Sequence, residues 1–137
     1  MSKLLEQLKR HEGFRTQLYA DTVGKLTIGY GHNIEDLGVS GSVAELMLAE
    51  DVAIAYEAAM TMDYYPRLNP ARQDAITNMV FNMGLTKFLG FKNMNAALFI
   101  GDYDLAAREA LDSKWAVQVG DRARELASQI ATGEYAV

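Results

Sequence analysis

Near residue 41 the hydrophobic pattern of this chain changes period, and that switch restricts the fold more than any other feature. Upstream, LYADTVGKLTIGYG reads as two short strands around a turn at Thr22 to Lys25. Leu26, Ile28 and Tyr30 alternate there with Thr27, Gly29 and Gly31, a period of two. Downstream the spacing is helical and stays so. A first helix precedes the hairpin, capped by Ser2, with Leu4, Leu5 and Leu8 on one face and Gly13 as its stop. A hairpin followed only by helices makes the expected class α+β, a small β lobe and a larger helical lobe.

The helices can be placed by their end signals. Ser40 or Ser42 can cap the run AELMLAEDVAIAYEAAM, which continues to about Met60, and Ser42 with Glu45 forms a capping box. The loop DYYPRLNP ends it. Asn69 as cap and Pro70 as first helical residue begin another helix, with Ala75, Ile76, Met79, Val80 and Met83 on its apolar face and Gly84 as its stop. Helices are expected near 93–100, 103–112 and 120–131, punctuated by Gly101 and Gly133. At 137 residues the chain fits one domain. Residues 13–40 are the expected β lobe, 41–62 the connecting helix, and 63–137 with helix 3–12 the helical lobe. A cleft between two such lobes is a natural ligand site.

Composition removes several function classes. There is no cysteine, so neither disulfides nor a thiolate metal site is expected. No segment reaches the roughly 18 apolar residues of a membrane span, and MSKLLEQLKRHEGF lacks a run of signal-peptide length. A target outside the cytosol would therefore need a separate release route. The net charge of −5 argues against nucleic acid as partner and gives no long-range attraction to other polyanions.

Polar side chains crowd into residues 11–32, HEGFRTQLYADTVGKLTIGYGH, which hold both histidines. Leu5, Leu8 and Glu12 share a helix face at spacings of three and four. Burial along that stripe and the negative end of the helix both favour the protonated carboxyl, as a general acid requires. The plainer reading is a solvated glutamate at a helix end. Asp21 enters the turn, where aspartate is common because it bonds its own backbone. If Leu26 and Ile28 face the core, Thr27 faces outward or into a cleft. The hairpin returns Thr27 towards Asp21, and a carboxylate beside a hydroxyl can hold a water. Two carboxyl groups flanking a site, one protonated and one ionised, are the minimum for hydrolysing a glycosidic bond. A metal site built from His11, Glu12, Asp21 and His32 lacks the HExxH spacing, and Gly29 with Gly31 makes only a GxG, too little for a phosphate loop. No metal or other cofactor is expected. His32 alone reads as a structural hydrogen-bonding residue. Met79, Met83 and Phe81 sit at helical spacing, with core packing the default for the methionines. Trp115, the only tryptophan, reads as core or as a sugar-stacking ring at a cleft edge.

These residues resemble the active-site segment of phage-type lysozymes, the endolysin muramidases of the T-even phage lysozyme family. Glu12, eight intervening residues, Asp21, five intervening residues and Thr27, followed by the GYGH of 29–32, carry the resemblance. NMVFNMG at 78–84, GFKN at 90–93, SKW at 113–115, DRA at 121–123 and TGEY at 132–135 extend it over nearly the whole chain. It implies a lysozyme-like fold and hydrolysis of the β-1,4 bond between N-acetylmuramic acid and N-acetylglucosamine in peptidoglycan. Glu12 would be the general acid, with Asp21 and Thr27 positioning or activating water. His32 would support the site and Arg122 would pair with Glu12. Asn33, Phe81, Met94 and Glu109 would join His32 in contacting the substrate. The resemblance also implies a monomer, held in the host cytoplasm until a holin releases it to the wall. Against the family pattern the segment from His32 to Asp51 is short. A strand and a short helix are expected to be missing there, trimming the small lobe. Two other readings fit the same residues: a lytic transglycosylase, which cleaves that bond without water, and an inactive glycan-binding module.

Overall fold

The computed structural model describes residues 2–136 as an α+β fold. In chain order the elements are α1 (Lys3–Glu12), β1 (Arg15–Ala20), β2 (Leu26–Gly29), α2 (Ile34–Leu37), α3 (Gly41–Ala59), a 3-10 turn (Tyr65–Arg67), α4 (Pro70–Met83), α5 (Leu85–Leu89), α6 (Lys92–Ile100), α7 (Tyr103–Leu111), α8 (Lys114–Val119) and α9 (Asp121–Thr132). They group into two compact units, Met1–Met47 and Leu48–Val137, with the division inside α3.

In the first unit the local end signals act as their chemistry requires. Ser2 Oγ accepts the Leu5 amide at 3.1 Å, filling one of the orphan donors of a helix start. Gly13, at φ +74°, stops α1. The strands pair antiparallel with Arg15 opposite Gly29, Tyr19 opposite Thr27 and Ala20 opposite Leu26, and the register shifts between Arg15 and Tyr19. The burial sense is the reverse of the expectation: Thr27 is 2% exposed and Leu26 is 43% exposed. Alternation fixes that neighbours point apart, not which face is covered. Thr27 tolerates the covered face because its hydroxyl is bonded at 2.9 Å to the Lys25 carbonyl, so no polar atom is orphaned. The apolar stripe of α1 is likewise open. Leu4, Leu5 and Leu8 are exposed and so is Glu12, so the burial expected of that acid is absent.

The segment after His32 holds a short helix, contrary to the expectation that none would be present. α2 is a single turn capped by Asn33, whose Oδ1 accepts the Asp36 amide at 3.1 Å. Among the described residues the sheet has two strands, supplemented by an isolated bridge between Ile28 and His32. Ser40, rather than the Ser42–Glu45 box, caps α3: its Oγ takes the Val43 amide at 3.2 Å, while the Ser42 hydroxyl lies 3.1 Å from that of Ser40.

The second unit holds the hydrophobic core, with Ile76, Met79, Phe88, Met94, Leu98 and Ile130 fully buried. α4 starts as expected, Asn69 Oδ1 accepting the Arg72 amide at 2.9 Å with Pro70 first in the helix. Of its apolar face Met83 alone is half-buried. α5 and α8 were not anticipated. Each is under two turns, too short for a periodic signal. Trp115 on α8 is buried and donates its indole N–H to Asn82 Oδ1 at 2.7 Å, which makes it core. The C-terminal carbonyls of α9 are met from α4: Arg72 donates to Ile130 at 2.7 Å and Ala131 at 3.0 Å, and Asn69 Nδ2 donates to Gly133 at 2.9 Å. The Arg72 guanidinium also lies 3.8 Å from the centre of the Tyr103 ring.

Candidate active site

The turn between β1 and β2 is organised around one residue, Lys25. The Lys25 amide and the Val23 amide both donate to Asp21 Oδ1, each at 2.9 Å. The Lys25 carbonyl accepts from the Asp21 amide at 2.9 Å and from the Thr27 hydroxyl at 2.9 Å. Asp21 and Thr27, separated by five residues, are thereby tied to the same residue. The bonding fixes what each can offer a ligand. The single hydroxyl proton of Thr27 is committed to Lys25, leaving Oγ1 as an acceptor, and an ionised Asp21 only accepts. A water seated between them must donate both its protons. Its lone pairs then face outward, the orientation a nucleophilic water needs.

Glu12 ends α1 and its side chain runs against the GxGH turn. Gly29 and Gly31 there have φ of +70° and +69°, a region that side chains rarely enter. A Cβ on Gly31 would fall 2.5 Å from Glu12 Oε2, 2.7 Å from Cδ and 2.9 Å from Cγ. Gly31 is thus required twice, for its backbone angle and for the space Glu12 occupies. His32 follows. Its Nε2 lies 2.6 Å from the Gly38 carbonyl, which can only accept, so the proton is assigned to Nε2. His32 closes the segment that carries α2, and Asn33 caps that helix.

Phe81, Met94, Glu109 and Arg122 all belong to the second unit. Arg122 donates through Nε and Nη2 to Asn78 Oδ1, at 3.0 and 2.7 Å. Both line a cavity of about 400 Å³ together with Asp74, Thr77 and Phe81. Phe81 is 40% exposed and so retains a free ring edge. Met94 and Glu109 share a different cavity of about 250 Å³ with Asn93 and Asp112. Met94 is only 1% exposed, packed by α6 into the core. It floors that cavity, and the expected saccharide contact has almost no surface to use.

The family model described as phage lysozyme matches residues 9–130. The chain belongs to the phage lysozyme family. An endolysin of Acyrthosiphon pisum secondary endosymbiont phage 1 is 37% identical over 117 residues, covering 82% of this chain and 77% of that protein. Probable T4-type lysozyme 1 of Dictyostelium discoideum is 29% identical over 163 residues, covering 97% and 96%. The pre-baseplate central spike protein of Enterobacteria phage T4 is 29% identical over 159 residues, covering 95% of this chain, which spans only 28% of that protein. An alignment of 163 residues against a chain of 137 means that this lysozyme relative carries stretches lacking here.

Sequence reasoning missed Lys25, Glu35 and Asp36, although a signal existed. Asn33-Ile34-Glu35-Asp36 is a cap residue followed by acids in a first helical turn. It also missed Asn78, the partner of Arg122, which opens the NMVFNMG motif.

Proposed function

We propose that this protein is an endolysin-type muramidase that hydrolyses the β-1,4 bond between N-acetylmuramic acid and N-acetylglucosamine in peptidoglycan. The observation that carries the reading is the shared tether of Asp21 and Thr27 to Lys25, which leaves two acceptors, and no donor, for a water. Membership of the phage lysozyme family supports the same activity class. Glu12 protonates the leaving glycosidic oxygen while the water held by Asp21 and Thr27 attacks the anomeric carbon. Direct attack by water inverts the configuration, and inverting enzymes keep their two carboxyl groups about 6.5–9.5 Å apart. His32 and Asn33 brace the turn. Phe81 and Glu109 contact the glycan strand. The protein works as a monomer and reaches the wall through a holin. Among the described residues no helix is long and apolar enough to cross a membrane.

The test is clearing of a bacterial wall suspension by the wild type and Glu12→Gln, with mass spectrometry of the products. Rapid clearing with reducing ends by the wild type, and none by the variant, is expected. Products ending in 1,6-anhydromuramic acid would replace the hydrolase with a transglycosylase. Equal slow clearing by both proteins would leave a glycan-binding module.

A further inference from the structure

Lys25 has a side-chain role separate from its backbone role. Its ammonium donates to Asp36 Oδ1 at 3.2 Å and lies 3.5 Å from Glu35 Oε2. The other oxygen of Glu35 accepts the Leu26 amide at 3.3 Å, so one carboxylate grips residues 25 and 26 together. Asp36 is itself held, its Oδ2 taking the Asn33 side-chain amide at 3.0 Å. These contacts join α2 to the turn that carries Asp21. A two-stranded hairpin is marginal by itself, and here the sheet has two strands among the described residues. The acids of α2 therefore do what a neighbouring strand would otherwise do for this turn.

We infer that Lys25, clamped by Glu35 and Asp36, is a positioning residue that sets the geometry of the Asp21–Thr27 water site. The reasoning is mechanical. The Lys25 carbonyl receives both the Asp21 amide and the Thr27 hydroxyl, so a shift of residue 25 moves both water acceptors at once. Its amide orients the Asp21 carboxylate. The ammonium is engaged by Glu35 and Asp36, so loss of its charge should act on turnover through geometry, with substrate affinity left alone. This inference rests on the muramidase reading above.

The test uses the full chain and a soluble uncross-linked fragment of peptidoglycan, measuring kcat and KM separately. Lys25→Met keeps the aliphatic stem and removes the charge. Roughly a two- to fivefold loss of kcat is expected, the scale of an exposed ion-pair network, with KM unchanged and the melting temperature within a few degrees. Lys25→Arg should restore kcat. Glu35→Gln with Asp36→Asn removes the anionic partners of the ammonium while each amide oxygen can still accept its donor, and should lower kcat by a similar factor with KM unchanged. Wild-type kcat in Lys25→Met, or a loss that Lys25→Arg does not restore, overturns the positioning role. Glu12→Gln, assayed beside them, separates the two ideas. Wild-type turnover in Glu12→Gln refutes the muramidase assignment. An inactive Glu12→Gln beside an unimpaired Lys25→Met refutes the inference alone.

Discussion

Replacing Gly31 by alanine should damage activity far more than stability, and Gly29 supplies the matched control. Both glycines have φ near +70°, so each alanine variant carries the left-handed backbone cost of about 1–2 kcal/mol. In a chain of this size that lowers the melting temperature by several degrees in both. Beyond that the two sites differ. A Cβ on Gly29 meets nothing within 4 Å, whereas on Gly31 it falls 2.5 Å from Glu12 Oε2 and 2.9 Å from Cγ. Because Cγ is also too close, turning the carboxylate about its last bond does not relieve the clash, and the whole side chain must swing. Ordinary contact begins at 3.4 Å, so Oε2 has to retreat by 3.4 − 2.5, about 0.9 Å. Misplacing a reacting group by about 1 Å can cost about a hundredfold in rate, or roughly 2.7 kcal/mol of barrier. The assay is the initial clearing rate of a wall suspension, taken well below both melting points, with calorimetry on each variant. Similar melting temperatures and a rate loss near a hundredfold for Gly31→Ala alone are expected. Equal rates for the two variants would refute the claim that Gly31 makes room for a working Glu12.

Arg72→Ala should lower stability by about 2–3 kcal/mol, because it removes charge-assisted bonds to two carbonyls of α9 and the contact with Tyr103. Chemical denaturation would show it as a lower midpoint with an unchanged slope. Burial holds the Tyr64 hydroxyl above the ordinary tyrosine range. A group whose pKa is raised by folding contributes stability below its unfolded value, near pH 10, and loses it as pH climbs through the folded value. Melting temperature should therefore decline above about pH 10, and less steeply in Tyr64→Phe. That variant also gives up a hydrogen bond to Asn95, worth about 1 kcal/mol at neutral pH.

The parts of the fold that were legible in the sequence are those decided within a few residues. Ser2, Gly13, Asn69 with Pro70, and Gly84 all mark their helix ends because caps are local chemistry. Thr27 shows the limit. Its alternation with Leu26 was plain, but which of them is covered depends on packing, and the carbonyl that satisfies a buried Thr27 leaves no mark in residue type. Ser40 prevailed over Ser42 for a similar reason, since both have the right side chain and only the path of the chain chooses between them. In the candidate site, Asp21 in the turn and Thr27 on β2 are legible because both bond locally, through Lys25. Lys25 was passed over because its partners lie ten and eleven residues on, beyond a second turn. The depth of Met94 is not legible because packing of α6, and not residue type, decides how far an apolar side chain sinks.

Thr27 is the one residue of the first unit in the buried class among those described. Amide protection follows from how much must open to free a hydrogen bond. The hairpin amides should therefore exchange with solvent deuterium through small local openings, while those of α4 and α9 wait for rearrangement of the core. A ligand that tightened the Asp21 turn would slow exchange at Val23 and Lys25 first, so the two amides serve as built-in reporters of occupancy. An inhibitor that stiffened this turn would be visible there even if it left the melting temperature unmoved.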